Sequence, residues 1–296
     1  MAGERHWVRS HHDALGRRVL VESDLGYRCR IERDIVGRAR RLVLDDGAVL
    51  EFAHDSVGRR IAREVPGGVR IEYGYDLGGQ LSTRRVLGPQ PVEAEPEWVG
   101  APAHLLSESR YDYSPAGVLR MEADDQNGIV ENQHDAAGQL TGRFRGQVPL
   151  EEYRYDDVGN LYPRGQARTY GPGGRLEQVD RTTYVYDERA RLIEKTTIGD
   201  DGDERRWTYS WNGKGLLHAV VTPDGARTEF VYDCFARRVS KRSFGGDGRL
   251  EKTTRFVWDG DHVVHEIVVT EATGAREVHT HCFGDDEIEI LASRVQ

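Results

Sequence analysis

Histidines, cysteines and paired carboxylates are the side chains most able to do chemistry here. The sharpest constellation is His279-Thr280-His281-Cys282 near the end of the chain. On a strand, side chains two apart share a face. His279 and His281 would then stand together and, with His265 or Cys282, would offer a zinc ion three ligands. Zinc sites seldom rest on such irregular spacing, and the plainer reading is a strand that exposes its histidines. His265-Glu266 opens like a zincin motif but lacks the second histidine four residues on. Adjacent acids occur at Asp45-Asp46, Asp124-Asp125, Asp200-Asp201 and Asp285-Asp286. Such pairs could do acid–base work, but most neighbour a glycine and read as turns. Gly245-Gly246-Asp247-Gly248 resembles a calcium-binding nonapeptide only once, so a hairpin turn explains it more simply. His11-His12 reads as a strand-end pair. The chain contains no GxxxxGK[ST], GxSxG, HExxH or EF-hand pattern, and its serines have no evident histidine and aspartate beside them. The expectation is a chain without catalytic, cofactor-binding or metal-binding residues, and without a cofactor.

Those residues sit in 296 positions, room for one large domain or two ordinary ones. Apolar residues are 38% and charged residues 31%, with a mean hydropathy of −0.65, a composition close to that of disordered chains. The 13 Tyr, 7 Phe and 5 Trp are spread along the whole length, however, and 34 Gly recur regularly as turn punctuation. Forty-one basic against 50 acidic residues give a net charge of −9, the wrong sign for holding nucleic acid. No run of 18 apolar residues exists to cross a membrane. The start, MAGERHWVRSHHD, has no apolar core of a Sec signal. Cys29, Cys234 and Cys282 are odd in number and far apart, which excludes a disulfide framework or paired zinc knuckle and fits synthesis in a reducing cytosol.

Repetition organises the chain. Aromatic-Asp-x-x-Gly-x-Leu recurs at Tyr75-Asp76, His134-Asp135 and Tyr155-Asp156. Variants ending Gly-Arg-Arg-aliphatic begin at His12 and His54, and the copy at Tyr232 has Ala236 in the glycine position. Looser copies begin at Arg33, Tyr113, Tyr170, Tyr186, Trp211 and Trp258. Six of the eleven intervals between starts are 21 residues, and the others read as loop insertions and deletions. A second turn lies midway, for Gly26, Gly47, Gly68 and Gly225 each stand 14 residues after a start. Each unit thus reads strand, turn, strand, turn, with strands of roughly 6 to 8 residues. Aromatics recur two apart before the turns, as in Tyr73/Tyr75, Tyr153/Tyr155 and Trp207/Tyr209/Trp211, and predict ladders along one face. The Asp of each copy is expected to accept N–H bonds from the two residues after it, and the Gly to supply a positive φ. Residues 86–109 hold Pro89, Pro91, Pro96 and Pro102. They read as a surface excursion rather than a linker, because the repeat resumes beyond them. The fold expected is all-β, one repeat domain over 1–296, built of antiparallel hairpins in a curved or spiralling sheet.

YDxxGxL at 21-residue spacing, the mid-unit Pro223-Asp224-Gly225 turn and the phrase FVYDCFARRV resemble the Rhs/YD-repeat family from His12 to about Trp258. Phe256-Val257-Trp258-Asp259-Gly260-Asp261-His262-Val263-Val264 is similar to a phrase common late in Rhs cores. The resemblance implies a sheet strip that spirals into a hollow cocoon. In bacterial members such a shell encloses a C-terminal toxin, delivered by type VI or other secretion machines or within Tc insecticidal complexes; animal teneurins reuse it at cell surfaces. The chain contains no Asp-Pro dipeptide, so the family's aspartyl autoprotease is carried over to no residue, and the likeness is to an internal stretch of shell. The function expected is a non-enzymatic shell segment that encapsulates a toxin or other cargo polypeptide. Its expected partners are the rest of an Rhs shell, the cargo, or itself through exposed edge strands, with no nucleic acid and no membrane span. It is expected to be made in the cytoplasm and exported by a specialised system. Two rivals are a cell-surface glycan- or protein-binding module, with Trp98 as a candidate contact, and a metal-dependent hydrolase using the His/Asp-rich C-terminal segment.

Overall fold

The computed structural model describes residues 5–89, 104–283 and 291–295. Every regular element among them is a β-strand, and the strands form two antiparallel sheets. In each sheet the spatial order follows chain order, from Val8–His12 to Leu161–Pro163 in the first and from Arg168–Gly171 to Ala292–Val295 in the second. Strands adjacent in each sheet are adjacent in the chain, so no crossover is needed. The chain packs as two compact units. One comprises Ser10–Glu22 and Gly26–Tyr155; the other comprises Met1–Arg9, Ser23–Leu25 and Asp156–Gln296.

The 21-residue unit is two strands and two turns, as the spacing requires. At the repeat turn the Asp amide donates to the carbonyl four residues on, and the amide three residues on returns to the Asp carbonyl. In the copy at His54 these bonds measure 2.9 and 3.1 Å. The Asp carboxylate accepts the amides of the second and fourth residues after it, as Asp55 does from Val57 and Arg59. This corrects the expectation of the two residues immediately following: the fourth residue is brought back over the carboxylate by the chain reversal. The mid-unit turn of Thr222-Pro223-Asp224-Gly225 has the same backbone pattern.

Glycine supplies the positive φ at most repeat turns, but Ala236 and Ala190 take it up at 63° and 59°. Gly245-Gly246-Asp247-Gly248 is a hairpin turn of the same type, with the Gly245 amide bonded to the Arg249 carbonyl. A Cβ on Gly246 would lie 2.6 Å from the Asp224 carbonyl oxygen, so this turn abuts the neighbouring one through bare backbone.

Among the described strand pairs, ten of the twelve repeat starts coincide with a β-bulge. At Tyr75, for example, Gly74 pairs with Thr83 and Tyr75 with Leu81, leaving Ser82 as the extra residue. A bulge bends the strand and increases its twist, so curvature is written into the repeat at the aromatic position. The Pro-rich excursion is shorter than expected. Val86 and Leu87 pair with Ser107 and Leu105, and the Gly88 amide reaches the His104 carbonyl at 2.7 Å. Pro89 lies just beyond the strand, while Pro91, Pro96, Trp98 and Pro102 lie outside the described residues.

Candidate functional site

Two sets of side-chain bonds tie one hairpin to the next. The first is a clamp at the repeat turn. Arg17, Arg38, Arg59, Arg191 and Arg237 each direct Nε to the Asp four residues before, at 2.7–2.8 Å. The second guanidinium edge reaches the adjacent turn: Arg38 Nη1 donates to the Asp55 carbonyl at 2.9 Å, and Arg237 Nη1 to that of Gly260 at 2.7 Å. Gln80 does the same for Gly117 at 3.0 Å. These bonds hold the carboxyls of Asp13 and Asp187 below the usual carboxylate range. At Asp34, Asp55 and Asp233 desolvation works upward, and the arginine and amide bonds outweigh it.

The second set uses the repeat aromatic. Its polar tip donates to a carbonyl beside the bulge of the preceding repeat. The Tyr75 hydroxyl meets Arg60 O at 2.7 Å, Tyr155 meets Leu140 O at 2.9 Å and Tyr186 meets Leu176 O at 2.8 Å. The indole N–H groups of Trp211 and Trp258 meet Leu192 O and Arg238 O at 2.8 and 2.9 Å. Arg33, which replaces the aromatic in its copy, reaches Arg18 O instead. Cations lie over several rings, including Arg59 on Tyr75 at 4.6 Å and Arg238 on Phe230 at 4.3 Å. Most repeat aromatics are therefore committed to packing, as the sequence spacing indicates.

Little of the chain is core. Fourteen apolar side chains are buried among the described residues, Leu42 and Leu50 completely. The surface charge is paired within itself. In one unit Arg41 meets Glu51 at 3.3 Å across a strand pair and Arg143 meets Glu122 at 2.6 Å. In the other, Glu229 lies between Arg227 and Arg242 at 3.0 and 2.9 Å. Such pairs set opposite charges beside one another on the sheets.

The histidine-rich segment does not come together as a ligand cluster. On the strand Ala275–Cys282, His279 and His281 share one face, as the alternation predicts, while Thr280 and Cys282 are buried on the other. His265 pairs with Thr280 and belongs to that buried face. His281 lies 3.7 Å from Glu266 and 3.1 Å from Ser293. Among the described residues no three His, Cys, Asp or Glu side chains are placed to hold a metal; Asp285-Asp286 lies outside them.

One juxtaposition was invisible in the sequence. Ser23 Oγ lies 2.8 Å from His265 Nε2, and His265 Nδ1 lies 2.9 Å from Thr280 Oγ1. Serine and histidine are 242 residues apart, and no local motif signals the pair. His265 is wholly buried, and each of its ring nitrogens faces a hydroxyl.

Comparison with known proteins agrees with this architecture. The family model described as Teneurin YD-shell matches residues 118–256. A probable deoxyribonuclease, RhsB of Dickeya dadantii, is 33% identical over 158 residues, 45% of this chain and 11% of the relative. These matches support an Rhs/YD-repeat shell family for this chain. Double-stranded DNA deaminase toxin A of Burkholderia cenocepacia is 30% identical over 183 residues, 58% of this chain and 12% of the relative. Among solved structures, the Photorhabdus luminescens Tc holotoxin pore matches 97% of this chain and 16% of its own, with a TM-score of 0.52 and 16% identity. TcdB2-TccC3 without its hypervariable C-terminal region gives a TM-score of 0.53 at 15% identity, again over 97% and 16%. This YD-repeat chain thus spans about a tenth to a sixth of the proteins it matches. No helix among its described residues is long and apolar enough to cross a membrane.

Proposed function

We propose that the chain is a non-enzymatic wall segment of an Rhs-type shell, whose work is to enclose a toxin or other cargo polypeptide. The observation that carries this reading is the repeated inter-hairpin spine. Turn clamps and aromatic tips join each hairpin to its neighbour, so the strip is held along its length without a thick core. Two broad, largely solvated faces are what a wall presents to its inside and outside. The strands Val8–His12 and Ala292–Val295 end the strand orders of their sheets, and terminal strands offer backbone groups for pairing. The partners are accordingly the rest of a shell, its cargo, or a second copy. Synthesis in the cytoplasm and export by a specialised secretion system fit this role.

The names of two relatives supply the test. The purified chain is incubated with double-stranded DNA, and cleavage and base deamination are followed beside an active nuclease and an active deaminase. The wall reading expects neither product; turnover that copurifies with the chain overturns it.

A further inference from the structure

We propose that Ser23, His265 and Thr280 form an acid-released latch that holds the amino-terminal segment against the strands His262–Thr270 and Ala275–Cys282. The latch lies within one compact unit, which contains residues 5–9, 23–25 and the C-terminal strands. The Ser23–His265 bond joins positions 242 residues apart, a separation that the hairpin pairing of sequential strands does not span. His265 is 0% exposed and Thr280 3%, so water does not share these bonds. Within the amino-terminal segment itself, Asp24 joins its two parts by accepting the Trp7 amide at 2.9 Å and meeting His6 Nδ1 at 2.9 Å.

The imidazole is suited to holding only while neutral. One ring nitrogen then donates and the other accepts, and both hydroxyls can match either tautomer. Protonation would place a positive charge in a buried site. Asp24 on the amino-terminal segment favours that charge. His6 on the same segment, His281 on the neighbouring strand and Arg294 on the last strand oppose it; Arg255 stands on the same face of the strand behind, two residues from Val257, the partner of His265. Desolvation outweighs Asp24 and pushes the His265 pKa down to about 4. Once the segment lifts away, the ring meets water and returns to roughly 6.5. The open form therefore takes up a proton more readily than the closed form between those values. Closure is full above about pH 6.5 and weakens steadily down to about 4. These two values correspond to an increase of about thirty-fold in the opening constant between pH 7.5 and pH 5.

Hydrogen exchange at pH 7.5 and pH 5, corrected for the intrinsic rate, tests this directly. Residues 5–9, 23–25, 262–270 and 275–282 should lose about thirty-fold protection, while residues 182–232 keep theirs. In His265→Gln, which cannot titrate, the ratio between the two pH values should be close to one whatever its baseline. Equal loss in both proteins, or no loss in the unsubstituted chain, overturns the latch. Should the variant fail to fold, an NMR titration of the imidazoles decides: a His265 ring that titrates near 6.5 in the closed protein also overturns it.

Discussion

The indole N–H of Trp258 donates to the carbonyl oxygen of Arg238, twenty residues earlier, at 2.9 Å. Tyr75 does the same to Arg60 O. Tyr and Trp are interchangeable at this position because each carries a donor at the end of a flat apolar body. Phenylalanine keeps the body of tyrosine and loses the donor, whereas in place of tryptophan it loses a ring as well. Tyr75→Phe should lower stability by about 1 kcal/mol, the usual net worth of such a bond, and Trp258→Phe by more. The denaturant midpoint should fall with the slope unchanged; equal midpoints would mean that the ring alone does the work.

Ala236 occupies a left-handed turn position at φ 63°, where a Cβ costs roughly 1–2 kcal/mol. Ala236→Gly removes that strain and should raise stability by about 0.5–1 kcal/mol after the added unfolded-state entropy. Ala190→Gly, at φ 59°, should behave likewise. A thermal midpoint that falls in both variants would show the turn to be unstrained.

Arg38 holds Asp34 with Nε and the Asp55 carbonyl with Nη1. Lysine has a single nitrogen and cannot span both acceptors. Arg38→Lys should therefore lose about 1 kcal/mol despite keeping the charge. Chemical denaturation that matches the unsubstituted chain would reduce the clamp to a simple ion pair.

Acid should act in two steps. The clamp carboxylates titrate below their ordinary value when folded. Their contribution is present above about pH 4 and disappears as pH falls through the lowered values. The strand signal in circular dichroism should thus persist through the latch transition and disappear only below about pH 4. Loss of the whole sheet between pH 6.5 and 5 would contradict the order of events.

The repeat, the strand pairs and their hairpin turns were legible in residue type and spacing, because turn chemistry at Asp and Gly and period-2 aromatics are local. The bulges were not: Ser82 opposite Tyr75 has nothing in its side chain to mark an extra residue. Nor was the clamp, although the Gly-Arg-Arg variants contained its arginine, since the reach from Arg38 to Asp55 depends on which hairpins lie adjacent. The Ser23–His265 bond depends on a return of the chain over 242 residues, which no spacing rule encodes. The histidine cluster was misleading because strand alternation, which unites His279 with His281, separates both from His265 and Cys282.

The central claim is that this strip is a wall segment that completes itself through its edges, and the mass of the purified chain by light scattering tests it most directly. The account predicts a dimer or larger particle, a multiple of 33.4 kDa, held by strand pairing between copies. A stable monomer at 33.4 kDa, unchanged across a hundred-fold range of concentration, would contradict it.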